Sequence, residues 1–482
     1  MTLLYVTTAI PYVNAAPHLG HALELVQADV LARHARLRGR PTRFLTGTDD
    51  NAFKNVTAAR AAGVPVAEFV ARNAERFRGL RGPLSLSFDD FIRTGTDPRH
   101  RAGVAALWRA CAERGDFYRR EYHGLYCGGC EQFWAAAELT DGQCPEHGVV
   151  PEPVTERNWF FRLSRYQDQI LDLLESGTLR VEPEARRQEV LAFVRAGLND
   201  FSVSRPAARA GGWGIPVPGD PGQVIYVWWD ALANYVTALE GADYDRWWAA
   251  PGDRTHIIGK GITRFHAVYW PALLLSAGRP LPSRILVHDH LTVDGAKLSK
   301  SSGNTVDPVA LAARYGTDAL RWWLLSEVAP LGDTDFTESR LIRRADQDLA
   351  HGLGNLVNRT LTLAHRHRKS HITGTPEPLS PTLPAIIDSA VAAFNLRAAT
   401  AAIREAVSAA NRYIDHRRPW ELPPSFDTTV ATLVDTCRRI TTELAPFLPD
   451  AAARLTPQLG AGPHVGTPTP AFRKLARPAT TR

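Results

Sequence analysis

The chain has 482 residues, 44% hydrophobic and 22% charged, a globular composition that excludes wholesale disorder and predicts two or three domains. Lys+Arg number 56 and Asp+Glu 50, a net charge of +6 that permits a polyanionic partner such as nucleic acid without requiring one. Five cysteines exclude a disulfide scaffold. No apolar run reaches the length of a membrane span, and Met1-Thr2-Leu3-Leu4-Tyr5 lacks the basic start of a signal peptide, so a cytoplasmic protein is expected.

Residues 3–7 are a short apolar run of strand formers, followed by a loop with Pro11, Asn14 and Pro17. From His18 to about Leu37, apolar residues recur at helical spacing (Leu19, Leu23, Val26, Val30, Leu31). Arg43–Leu45 predicts a second strand, ending in Gly47-Thr48-Asp49-Asp50, and Val66 to Phe77 a second helix. Strand and helix in alternation predict a parallel α/β sheet, which binds ligands at the carboxyl ends of its strands. The Thr7–Pro17 loop and the Thr48–Asn51 turn are expected there. Residues 119–153, rich in Gly, Cys and Pro, read as an insertion, with helical periodicity returning between Leu163 and Leu179. Strand–helix–strand resumes with Val224–Val227, Thr255–Ile258, a helix from Thr263 to Ser276, and Arg284–Val287. From about Arg343 to Leu448 the pattern is wholly helical, and after Gly460 it predicts a disordered tail.

Three motifs carry chemistry on residue type and spacing. Pro17-His18-Leu19-Gly20-His21 opens a helix, where free N–H groups and the dipole favour anions, and its two histidines share a face. Capping or core histidines are the plainer reading. Lys297-Leu298-Ser299-Lys300-Ser301 lies between Asp294-Gly295 and Gly303-Asn304, as a cationic clamp for a polyphosphate would. A solvated loop is the alternative. Yet only six lysines occur in the chain; two are here and a third is Lys260, beside Gly259. A compact charge on a flexible stem suits a moving pyrophosphate. The third motif is Cys127-Gly-Gly-Cys130 and Cys144-Pro-Glu-His147, separated by 13 residues, the spacing of a closed structural zinc site. Chance pairs or a redox Cys-x-x-Cys compete with it. Isolated Cys111 and Cys437 read as core residues. In the helical region Asn355 and Arg359 share a helix face and Trp420 follows a proline. Together they read as a base-stacking and base-reading set, or as a core tryptophan beside solvated polar residues.

The histidine pair and Lys-x-Ser-Lys-Ser together resemble the two signatures of class I aminoacyl-tRNA synthetases. Thr8-Ala9-Ile10-Pro11-Tyr12-Val13-Asn14, Tyr226-Val227-Trp228-Trp229-Asp230-Ala231-Leu232-Ala233-Asn234-Tyr235 and Arg418-Pro419-Trp420-Glu421-Leu422 narrow the resemblance to the methionyl-tRNA synthetase family, from about residue 3 to 450. The resemblance implies a Rossmann-type α/β catalytic domain (1–118 and 216–290). It also implies a zinc knuckle (119–153) within an insertion continuing over 154–215, a lysine-loop and linking region (291–342), and an all-α anticodon-binding bundle (343–460). The disordered tail is then 461–482.

It further implies methionine–tRNA ligase activity: L-methionine and ATP, with Mg²⁺, give methionyl-adenylate and pyrophosphate, and the acyl group passes to the 3′ end of tRNA(Met). His18, His21, Lys297 and Lys300 would be catalytic. ATP would be held by His18, Gly20, His21, Gly259, Lys297, Ser299, Lys300 and Ser301, the histidines and the lysine loop gripping the triphosphate from opposite sides. Ala9, Ile10, Tyr12, Asp49, Trp228, Tyr235, Ile262 and His266 would bind the amino acid, with Asp49 on its ammonium. Arg205 would lie near the adenylate and the tRNA end, and Asn355, Arg359 and Trp420 would read the CAU anticodon. One structural Zn²⁺ would sit on Cys127, Cys130, Cys144 and His147, and the chain is expected to be a monomer. The family pattern is broken by Asp50-Asn51-Ala52 after Asp49, by Gly261 in place of an aspartate near the ribose, and by Asp289 after His288. All three are expected at the active-site rim. The competing reading is a paralogue that forms an aminoacyl-adenylate for a non-tRNA acceptor.

Overall fold

A computed structural model describes residues 2–145, 147–297 and 305–475. Their contacts divide them into two units. In the first, strands Leu3–Thr8 (β1), Thr42–Thr48 (β2), Asp90–Arg93 (β3), Arg180–Glu182 (β4), Gly252–Gly259 (β5) and Arg284–His288 (β6) form one parallel sheet, in the order β3-β2-β1-β5-β6-β4. Such strands are covered on both faces, which is why they read as continuous apolar runs: Leu4 to Thr8 are all buried. The chain leaves β1 towards β2 and β3 on one side, while β5, β6 and β4 lie on the other. The carboxyl ends of β1 and β5 therefore flank the switch point at which open α/β sheets hold ligands. Ala9 and Ile10 follow β1, Asp49 follows β2, and Lys260-Gly261-Ile262 follow β5.

The insertion is antiparallel. Phe117–Cys127 pairs with Glu152–Phe161 from Phe117↔Phe161 to Tyr126↔Glu152, and Gln132–Trp134 and Phe201–Ser202 complete four strands. Two expectations are corrected here. Val224 and Ile225 belong to Asp220–Ile225, in a separate three-stranded sheet with Ser204–Pro206 and Pro216–Val217, and Val227 already begins the helix Val227–Thr237. That helix is buried nearly all round, so its apolar run cannot be told from a strand by periodicity. Conversely β4, inside the segment expected as insertion, is an edge strand of the main sheet, and three residues are too few to show a period.

The second unit contains the helix Leu19–Leu37 (α1), residues 80–87 and the described residues after His288. Ion pairs tie α1 into this unit. Arg321, fully buried on the helix Thr317–Ser326, pairs with Asp29 of α1 at 2.8 Å and donates to the carbonyls of Leu84, Pro446 and Phe447. Arg38, just past α1, donates to Asp388 and Glu443. A small sheet (Leu291–Val293 between Ala296–Lys297 and Thr334–Asp335) brackets the helices Pro308–Tyr315 and Thr317–Ser326 in the chain. The wholly helical stretch is interrupted: Lys369 and Ser370 take positive φ, and helix resumes only at Leu383. Residues 461–475 are not a disordered tail. Val465 and Leu475 are buried, Ile372 N–H donates to Pro463 O, and Leu475 N–H donates to Asp346. Low hydrophobicity concealed this because the segment is held mainly by backbone hydrogen bonds. Residues 476–482 of the expected tail lie outside the described residues. No described helix is long and apolar enough to cross a membrane.

Removing one partner of a buried ion pair costs about 3–5 kcal/mol. Arg321→Ala should therefore lower the stability of the helical unit by about that amount in denaturant unfolding; a loss under about 1 kcal/mol would contradict the assignment of Arg321 as its central tie.

Candidate active site

Asp49 is 1% exposed at the end of β2, its N–H donating to Pro11 O and its backbone bridging to Tyr12. Burial raises its carboxyl well above the usual range, and the nearby Asp230 and Glu131 add to the rise. A site so arranged gains from any cation that enters it. Asp230 is buried too, but it is clamped: Asn51 Nδ2 donates to one oxygen at 2.7 Å, and His100 Nε2 meets the other at 2.5 Å. His100 Nδ1 in turn meets Thr237 Oγ1 at 2.7 Å.

Beside this acidic group stands an aromatic wall. Tyr12 meets Trp228 edge-on, and Trp228 stacks on Phe265 with centroids 3.9 Å apart. Ala9, Ile10, Trp228 and Ile262 all lie against the same apolar core. Tyr235 and His266 are joined at 2.7 Å, and His266 Nδ1 lies 3.0 Å from Ile262 O. A carbonyl can only accept, so Nδ1 carries the proton and Nε2 accepts from the Tyr235 hydroxyl. Burial then pushes His266 down to about 4. Contacts thus link Tyr12 with Asp49 and Trp228, and His266 with Tyr235 and Ile262, while Ala9, Ile10, Trp228 and Ile262 pack against one core. Gly259 ends β5, opposite His288. Gly261 is exposed in the turn Lys260–Ile262.

His18 caps α1. Its N–H donates to His21 Nδ1, and Gly20 N–H donates to His18 Nδ1. Both Nδ1 atoms are therefore acceptors, and each neutral ring carries its proton on Nε2. A Cβ on Gly20 would lie 3.0 Å from the His18 ring, so glycine lets that ring fold back. Lys297 ends the strand Ala296–Lys297, while Ser299, Lys300 and Ser301 lie outside the described residues.

The sulfur and nitrogen ligand atoms of Cys127, Cys130, Cys144 and His147 all lie within 4.8 Å of one another, with Cys130 Sγ and Cys144 Sγ 3.8 Å apart. A tetrahedral ion with zinc–sulfur bonds of about 2.3 Å would space two sulfurs by about 3.8 Å, so the cluster fits a metal. A Cβ at Gly129 would come within 2.6 Å of the His147 ring, which closes that position to any side chain.

Arg205 is buried, donating to the Tyr126 hydroxyl and lying over the Tyr126 and Tyr226 rings. In the other unit Trp420 is 46% exposed, which rules out a core tryptophan. It is presented by a short turn between two residues of positive φ, Arg418 and Leu422. The Arg359 guanidinium lies 5.8 Å from its ring while pairing with Asp415, and Asn355, exposed, is one helical turn away.

The three departures are not all at a rim. Asp50 is fully buried, paired with Arg93 and accepting from the Thr48 hydroxyl. Ala52 is buried among Tyr226 and Val227. Asp289 is buried and accepts from Gly332 N–H, so it braces a loop. Sequence reading missed His100, Lys54 and Glu131 as site residues; Lys54 and Glu131 stand beside quoted stretches, and His100 stands beside none.

The family described as tRNA synthetases class I (M) matches residues 4–149 and 136–361. The chain is thus a class I tRNA synthetase by family. The chain is 41% identical over 471 residues to the methionine–tRNA ligase of Brucella suis biovar 1, covering 94% of this chain and 90% of that one. It is 40% identical over 487 residues to that of Mycobacterium tuberculosis, covering 95% and 92%. The solved Mycobacterium tuberculosis methionyl-tRNA synthetase in complex with methionyl-adenylate superposes with a TM-score of 0.91 at 38% identity, over 98% of this chain and 100% of that one. The chain belongs to the methionyl-tRNA synthetase family.

Because folding lowers the His266 pKa from 6.5 to about 4, the folded state binds fewer protons than the unfolded chain between those values. The stability this histidine contributes is complete above pH 6.5 and is lost as the pH falls towards 4, by up to about 3 kcal/mol. His266→Gln should flatten the acid limb of the unfolding free energy; identical pH profiles for the two proteins would refute this.

Proposed function

We propose that the chain is a methionine–tRNA ligase, and the observation that carries this reading is the buried Asp49 carboxylate beside the aromatic wall of Tyr12, Trp228 and Phe265. A cationic ammonium relieves the unfavourable charge of Asp49. Aromatic rings suit a thioether, and a tight apolar pocket selects against polar side chains. The methionine carboxylate attacks the α-phosphorus of ATP, the bond to the β,γ-phosphates breaks, and methionyl-adenylate and pyrophosphate form. A hydroxyl of the terminal ribose of tRNA(Met) then attacks the acyl carbon and releases AMP. No enzyme nucleophile is required, and catalysis is by positioning and charge. His18 and His21 offer Nε2–H donors to phosphate oxygens at the start of α1, and Gly20 lets His18 take that pose. Gly259 lets the nucleotide approach the end of β5. Lys297, Ser299, Lys300 and Ser301 form the polyphosphate clamp. Mg²⁺ accompanying ATP supplies neutralising charge.

Cys127, Cys130, Cys144 and His147 hold a structural Zn²⁺ with no open position. Arg205, buried against Tyr126, orders the floor below the adenylate and the tRNA end. Asn355, Arg359 and Trp420 read the anticodon. The exposure of Trp420 and Asn355, beside a half-buried Arg359, favours tRNA charging over a ligase for another acceptor, because a non-tRNA acceptor gives such a surface no use. The protein acts as a monomer in the cytoplasm.

Amino-acid-dependent ATP–pyrophosphate exchange across the twenty amino acids should single out methionine, followed by aminoacylation of total tRNA; preference for another amino acid would overturn the pocket assignment. Losing one stacked base costs about 1–3 kcal/mol, so Trp420→Ala should cut tRNA charging by about one to two decades and leave exchange nearly intact. The purified protein should carry about one zinc per chain, and Cys144→Ala should lower that content and loosen the knuckle to proteolysis. Full order and activity in a metal-free preparation would refute the metal assignment.

A further inference from the structure

Three consecutive backbone carbonyls of the knuckle are each taken by a side chain from outside it. Gly129 O accepts from Lys54 Nζ at 2.5 Å, Cys130 O from Trp228 Nε1 at 3.4 Å, and Glu131 O from the Tyr226 hydroxyl at 2.6 Å. The turn is fixed by Glu131 itself, which has φ 53° and is 1% exposed. Its carboxylate Oε1 accepts from Lys54 N–H at 2.6 Å, so Lys54 grips the turn with both its backbone and its side chain. The Lys54 ammonium also lies 4.7 Å from the centroid of the Tyr12 ring. A cation over a tyrosine face is attracted by the ring, more so where water is excluded. Lys54 is therefore in contact with one member of the aromatic wall, Tyr12, and with the turn that anchors its other member, Trp228.

We propose that Lys54 is a positioning residue for amino-acid binding. It ties the Gly129–Glu131 turn, which carries the metal ligand Cys130, to Tyr12, and so holds the Tyr12–Trp228 wall at the spacing the substrate side chain needs. The inference rests on the reading of this pocket as the methionine site. It assigns the knuckle a part in substrate selection beyond its own folding. Lys54 touches no reacting atom, and its removal should therefore act on methionine binding and leave nucleotide binding alone.

The test is ATP–pyrophosphate exchange by the full-length, metal-loaded protein, with wild type, Lys54→Met and Lys54→Arg compared, and zinc content measured for each. Losing a charge-assisted hydrogen bond predicts a rise of about tenfold in the methionine KM for Lys54→Met, with the ATP KM and kcat within about twofold of wild type and zinc content unchanged. Lys54→Arg, which keeps charge and donors, should recover most of the loss. An unchanged methionine KM, an equal rise in both KM values, or a fall in zinc content that parallels the KM change would overturn the proposal. If Lys54→Met does not accumulate as folded protein, Lys54→Gln carries the same comparison with the same outcomes. A wild-type protein without methionine-dependent exchange would instead remove the functional reading itself, which separates the two failures.

Discussion

A buried carboxylate set among other buried carboxylates is the constraint around which the catalytic unit is organised. Asp49 sits in a desolvated position with Asp230 and Glu131 close enough to raise its pKa further. Like charges so placed are tolerable only if each is separately held. Asp230 is held by Asn51 and His100, Glu131 by the Lys54 backbone, and Asp50 by Arg93 and Thr48. Among the described residues, Asp49 accepts only the Asn51 N–H, at 3.1 Å, and its pKa stays raised, so it is the carboxylate most receptive to an entering cation. The residues around it are thus chosen as much by the need to satisfy its neighbours as by contact with substrate.

The same logic explains why an unusual Asp50-Asn51-Ala52 sequence leaves the site recognisable. Asn51 is a neutral donor, so it can clamp Asp230 at 2.7 Å without bringing in another ionisable group. Ala52 fills space beside Tyr226 and Val227, which also flank Tyr12 and Trp228. Asp289 is occupied by a loop N–H. Of the three departures, only Gly261 is exposed, at the turn after β5.

In the other unit, α1 is anchored along its length. Asp29 pairs with Arg321, and His34 and Arg38 both meet Asp388. Its first turn is fixed separately by reciprocal bonds between His18 and His21. The histidine pair therefore projects from a rigid element, and its ring protons are set by the backbone. Trp420 is displayed by the opposite means, a kinked turn that keeps a large ring out of the core.

The local sequence determined a great deal. Continuous apolar runs gave β1, β2, β5 and β6, helical spacing gave α1, and the Cys and His spacing marked the metal cluster, because each depends only on near neighbours in the chain. The proposed pocket residues rest on family resemblance, not on periodicity. Tertiary structure alone decided the rest. Arg180–Glu182 joins the main sheet, α1 groups with the helices, and residues 461–475 are ordered, because each depends on partners far away in sequence. The clamp on Asp230 joins residues 51, 100 and 230, and the grip of Lys54 joins residues 12, 54 and 129. A buried charge is satisfied by whatever the fold brings within 3 Å of it, and a linear pattern carries no record of that distance.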